Sequence, residues 1–204
     1  MKTIISFLLL VTILGISTLS VKAQTTEPKE GKTKFSIEID PSTFVFKGYS
    51  AHLRIQPKSS NHTLYGLGIY AMDMPSLFVD INKDNTNKGW NIRINKAIGL
   101  FSEYHFKEVN RSFFVGAQVG MQQFRIELDG TSGSEKFINT LLMAYRGYTL
   151  QPFEFPLYFK FWGGLGYTDK LAGKNTLNEQ EYDISPVSVF ATLHMGYIFK
   201  IRKK

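Results

Sequence analysis

Cysteine is absent from all 204 residues. That excludes disulfides, thiolate metal sites, a cysteine nucleophile and a lipid anchor on an N-terminal cysteine. Small exported domains often use disulfides as staples, so this chain must close its fold another way, and a sheet joined to itself would do so. Long apolar runs are also missing beyond the first 23 residues, where nothing approaches the roughly 18 residues that a membrane helix needs. No 3.6-residue apolar period competes with the alternating pattern described below. The basic excess is modest, formally +7. Lys200, Arg202, Lys203 and Lys204 read as a solvated tail, and no nucleic-acid partner is expected.

What is present begins with a secretory signal. Lys2 precedes an apolar core from Ile4 to Ile16, and Val21-Lys22-Ala23 offers a small-x-small cleavage site before Gln24. Cleavage after residue 23 removes Lys2 and Lys22 and no acid, so the formal charge falls from +7 to +5. The expected organisation is a signal peptide over 1–23, a flexible leader over 24–33 and one domain over 34–204.

That domain alternates with period two. Eight segments read as strands, beginning near residues 35, 49, 65, 90, 113, 137, 155 and 187. From the second strand onward the connections run short (57–62), long (73–89), short (107–111), longer (129–135), short (150–152) and long (169–181). Short periplasmic turns facing longer external loops are the habit of outer-membrane barrels, whose strand number is even. The expected fold is all-β: an eight-stranded antiparallel up-and-down transmembrane β-barrel. Phe35–Asp40, its shortest strand, closes against Val187–Phe199.

One face of each strand is apolar and carries aromatics near its ends. Trp90, Tyr104, Phe155, Tyr197 and Phe199 are the expected interfacial girdle, with Tyr49, Tyr65, Phe113 and Tyr145 on the same faces. The other faces hold Glu38, His52, Arg54, Arg93, Glu103, Gln118, Gln122, Arg146, Lys160 and His194, the expected polar network of the barrel interior. In a secreted or periplasmic lipocalin-like barrel the faces would be exchanged and the apolar set would line a pocket for a small apolar ligand. Glycine is dense on the mixed face (66, 68, 99, 116, 120, 164, 166, 196), which suits a crowded interior better than a solvent face.

On these features the chain resembles the small outer-membrane β-barrel proteins of Gram-negative bacteria, Bacteroidota in particular, that have no assigned activity. The resemblance rests on the signal, the hairpin spacing and the aromatic-ended final strand, and covers about residues 34–199. It implies lipid and lipopolysaccharide as surroundings, the barrel-assembly machinery as a partner in biogenesis, and a monomer. Members commonly end at the terminal phenylalanine, whereas Phe199 is followed by Lys-Ile-Arg-Lys-Lys.

An eight-stranded barrel is just wide enough for side chains to fill, so no wide pore is expected. Its buried charges must be paired, and the Arg93–Glu103 region with Lys160 is the expected centre of the network. His52 and His194 point inward on strands separated by one other, close enough to invite catalysis. A lipid A-modifying esterase, however, needs a serine–histidine pair for which no histidine-x-serine motif exists here. Asp80-Ile-Asn-Lys-Asp84-Asn85 begins like a calcium loop but has Asn85 where glycine belongs and Asn91 where glutamate belongs. No enzyme activity, cofactor or metal is therefore expected.

Overall fold

The structure is a computed structural model that describes residues 32–199. The expected signal peptide, the leader as far as residue 31 and the tail from Lys200 lie outside the described residues.

The alternating segments form strands β1 (Lys34–Ile39), β2 (Tyr49–Gln56), β3 (Thr63–Asp73), β4 (Trp90–His105), β5 (Phe113–Leu128), β6 (Glu135–Leu150), β7 (Leu157–Gly173) and β10 (Val187–Phe199). Every pairing among them is antiparallel, and the order β1-β10-β7-β6-β5-β4-β3-β2 closes on itself. Closure leaves no sheet edge where all strands overlap, which replaces the missing disulfides as the device that completes the fold. One end has tight turns between β2 and β3, β4 and β5, and β6 and β7. The other carries helix α1 (Pro41–Val45), helix α2 (Ser76–Asp80) and a small hairpin of β8 (Thr176–Leu177) and β9 (Gln180–Glu181). The long connections are thus partly structured. Asp40 caps α1 by accepting from the Ser42 amide at 2.8 Å.

One ladder of paired residues shows what the exterior is for. It runs Val187, Tyr167, Leu142, Val119, Leu100, Leu67, Leu53, Ile37 and Tyr197, and returns to β10 ten positions further along. That offset is the stagger a tilted barrel requires. Each of these side chains is large, apolar or aromatic, and 43–58% exposed. A belt of this kind around a whole molecule is incompatible with water, and it is the surface a bilayer solvates.

Two strands depart from the expected facing. In β4 the pairing with β5 shifts between Ile94 and Lys96, so one extra residue, Asn95, reverses the alternation. Trp90, Ile92 and Ile94 therefore turn inward and are buried, so Trp90 is not interfacial. Arg93 turns outward, where it pairs with Asp73 in a half-exposed site and leaves the interior network. In β6 the facing is inverted throughout: Leu141, Met143 and Tyr145 are buried inside while Arg146 is exposed outside. Both faces of that strand are mixed, so alternation could not choose between them. The neighbours do: Tyr145 sits opposite Gly116 on one side and Gly164 on the other, where its ring has room. Arg146 lies four residues from the tight-turn end of β6, where a long side chain can reach the polar boundary of the bilayer.

At the loop end, Val79, Trp90, Ile92, Ile126, Leu128, Phe137 and Leu177 form a buried apolar cap. Two loops are tied across it. Asn82 Nδ2 donates to Asp183 Oδ2 at 2.5 Å, Asn85 Nδ2 donates to the Asp183 carbonyl at 2.8 Å, and the Asp183 amide returns a bond to Asn85 Oδ1. The calcium-like stretch is therefore a clasp between loops. Tyr182 packs onto the cap, and its burial, with Asp183 adjacent, pushes its hydroxyl up to about 12, so the phenol stays neutral.

Candidate functional site: the barrel interior

The tight-turn half of the lumen is filled by charge. Glu38 on β1 and Glu103 on β4 face Arg54 on β2 and Lys160 on β7, all four at most 1% exposed. Arg54 Nη2 meets Glu38 Oε2 at 2.9 Å, and Nη1 meets Glu103 Oε1 at 3.0 Å. Lys160 Nζ reaches Glu38 Oε1 at 2.7 Å and Glu103 Oε2 at 3.0 Å. Two carboxylates thus balance two cations with no formal surplus. The remaining acceptor sites are taken too: Tyr158 donates to Glu38 at 2.7 Å and Tyr145 to Glu103 at 3.0 Å. His194 lies 3.1 Å from Glu38, and His105 lies 3.3 Å from Glu103. Arg54 also lies over the Phe101 ring at 4.4 Å. Charges this deep persist only when paired and hydrogen-bonded, and here the partners come from six strands, so the plug fastens the wall across its own lumen.

Glycine makes this crowding feasible. Arg54 stands opposite Gly66, His52 opposite Gly68, Tyr145 opposite Gly116 and Tyr158 opposite Gly196. A Cβ at Gly196 would lie 2.2 Å from the Tyr158 ring, and one at Gly68 would lie 2.0 Å from the His52 ring.

Of the ten residues expected inside, Glu38, His52, Arg54, Glu103, Gln118, Gln122, Lys160 and His194 are buried in the lumen. Arg93 and Arg146 are on the outside. Of the expected girdle, Tyr104, Phe155, Tyr197 and Phe199 are exposed, while Trp90 is in the cap. His105 went unnamed in the sequence reading although it shares the inward parity of Glu103, and alternation put Tyr145 on the wrong face.

Above the plug the interior is not filled. A cavity of about 440 Å³ lies between the charged floor and the apolar cap. Ile94, Phe101, Phe124, Leu141, Met143 and Phe190 contribute its apolar wall, and Asp40, His52, Gln118, Gln122 and His194 its polar floor. The expectation of a wholly side-chain-filled interior therefore holds for one half only. β1 and β2 are six and eight residues long against sixteen or more in β4 to β7, so fewer inward side chains reach this level.

Glu38, His52 and His194 bring ligand atoms within 4.8 Å of one another, but the arrangement suits a metal poorly. Both Glu38 oxygens are engaged by Arg54 and Lys160, two cations that would repel a third. The two imidazoles stack at 4.7 Å with 16° between planes, so their lone pairs run side by side instead of converging. Among the described residues neither ring is hydrogen-bonded to a serine. His194 instead faces Glu38 and, at 3.8 Å, Asp40.

Eight antiparallel strands closed around a neutral ionic plug, with an apolar outer belt, define a small transmembrane β-barrel. Barrels of this kind are outer-membrane structures, and that is this chain's location. No family description matches the sequence, and no curated protein is similar to it. Among solved structures the chain is similar to Neisserial surface protein A, with 11% identity and a TM-score of 0.40 over 81% of this chain and 94% of that one. It is also similar to a major outer membrane protein from Thermus thermophilus, with 11% identity and a TM-score of 0.41 over 82% of this chain and all of the other.

Proposed function

We propose that this protein is a monomeric, non-conducting barrel of the outer membrane, inserted by the barrel-assembly machinery and surrounded by lipid and lipopolysaccharide. Its task is structural or one of binding at its loop end, without catalysis or a diffusion pore. The observation that carries this reading is the neutral plug. An ion crossing the lumen would have to part Glu38 and Glu103 from Arg54 and Lys160, each step exposing an unpaired buried charge at about 3–5 kcal/mol. Stabilised loops support the binding role: the Asn82–Asn85 clasp to Asp183 holds the loop surface in one shape. Single-channel recording in planar bilayers tests the proposal. Folded barrel, verified by its heat-dependent gel shift, should give no regular conductance steps, and a reproducible ohmic step size would refute it.

A further inference from the structure

The cavity between plug and cap opens sideways through the wall. β10 pairs with β7 from Val187 to Tyr197, but with β1 only from Met195 to Phe199. From Val187 to His194 it therefore has a strand on one edge only. The lower part of this gap is covered by α1, where Thr192 Oγ1 donates to Asp40 Oδ2 at 2.8 Å and lies 3.2 Å from Ser42 Oγ. Above Thr192 no strand among the described residues takes the place of β1.

The lining shows that the cavity uses this gap. Val187, Val189 and Ala191 belong to the outward face of β10, and Ser188, Phe190 and Thr192 to the inward face, yet all six line the same cavity. A space that touches both faces of a strand has to pass around its edge. Phe78 and Ile81, in and after α2, also line it while remaining 40% and 62% exposed, which sets them at the mouth.

We propose that this cavity binds one single-chain amphiphile, an alkyl chain bearing a hydroxyl head, drawn from the membrane through the gap beside β10. The inference rests on the membrane reading above. The mouth points to the alkyl chain: Val187 begins the exposed apolar ladder, so the rim is continuous with the lipid-facing belt, and what lies against it is hydrocarbon. The size agrees, since 440 Å³ falls within the range of small-ligand sites, roughly 300–1,000 Å³. The head group is set by two atoms. His52 and Asn139 line the cavity, and the buried Nδ1 of the one and Oδ1 of the other have no hydrogen-bond partner among the described residues. Buried polar atoms are ordinarily satisfied, and a hydroxyl donates to one such atom or accepts from the other. A carboxylate fits less well, because the plug has no positive surplus and Asp40 already lies on the floor.

Bromine quenching of tryptophan tests this directly. Trp162 lines the cavity, and the chain has only one other tryptophan, Trp90. In the full chain carrying Trp90→Phe, folded in detergent micelles, 9,10-dibromostearyl alcohol should quench Trp162 saturably at about one molecule per barrel. Ser188→Phe, which fills the mouth, and Asn139→Leu, which removes the polar anchor, should each weaken the titration roughly tenfold. The corresponding dibromo acid at alkaline pH should bind more weakly than the alcohol. Quenching that rises linearly without saturating, or that is unchanged in both variants, would overturn the proposal while the heat-dependent gel shift still certifies the barrel. A product that folds and stays soluble without detergent would overturn the membrane reading instead.

Discussion

Glu103→Gln isolates the worth of the ionic plug. The side chain keeps its volume, but the carboxylate that receives Arg54, Lys160 and Tyr145 becomes an amide, half of which is itself a donor. Glu38 is then left as the sole anion for two buried cations, and the lumen acquires one formal positive charge. Removing one partner of a buried pair costs about 3–5 kcal/mol, a large share of the 5–15 kcal/mol that holds most domains together. Equilibrium unfolding in urea, followed by tryptophan fluorescence in lipid vesicles, measures the loss. Combining Glu103→Gln with Lys160→Met restores formal balance between Glu38 and Arg54, so the double variant should be more stable than the two single losses added together. A Glu103→Gln barrel within about 1 kcal/mol of the parent, or strictly additive losses in the double variant, would show that the plug does not act as one coupled unit.

The two arginines chosen by different routes should behave differently. Arg93→Ala, which breaks a half-exposed pair with Asp73, should cost about 1 kcal/mol or less, whereas Arg54→Ala should match Glu103→Gln in the same unfolding assay. Leu100→Arg, in the middle of the exposed ladder, should destabilise by about 2–4 kcal/mol and slow insertion into vesicles; wild-type assembly would mean that the outer face does not meet lipid. Gly196→Ala drives a methyl into the Tyr158 ring and should cost about 1–3 kcal/mol in the same unfolding assay; a variant as stable as the parent would mean that the ring has room to move.

The strand count, their limits within a few residues, and the distinction between tight-turn and loop ends were legible from alternation alone. Period two is a local property, and the aliphatic stretches of β2, β5 and β10 each display it without help from the rest of the fold. Alternation is relative, however. It says which residues share a face and not which face is inside, so β6, mixed on both sides, came out inverted. One inserted residue likewise reversed the upper half of β4, since Asn95 changes parity without leaving a compositional mark.

By itself, then, the sequence determined that this is an eight-stranded barrel with apolar strand faces for lipid and charged residues on its inward faces. The short alternation at Phe35–Asp40 also marked the shortest strand of the barrel, and β1 is six residues long and pairs with Val187–Phe199 as expected. Only the tertiary structure decided which charges meet, because Glu38, Arg54, Glu103 and Lys160 are brought together by closure and not by spacing. It alone also revealed the cavity above the plug and the gap beside β10, which arise from unequal strand lengths around a closed sheet. A cavity is a volume left between elements, and no single stretch of chain encodes it.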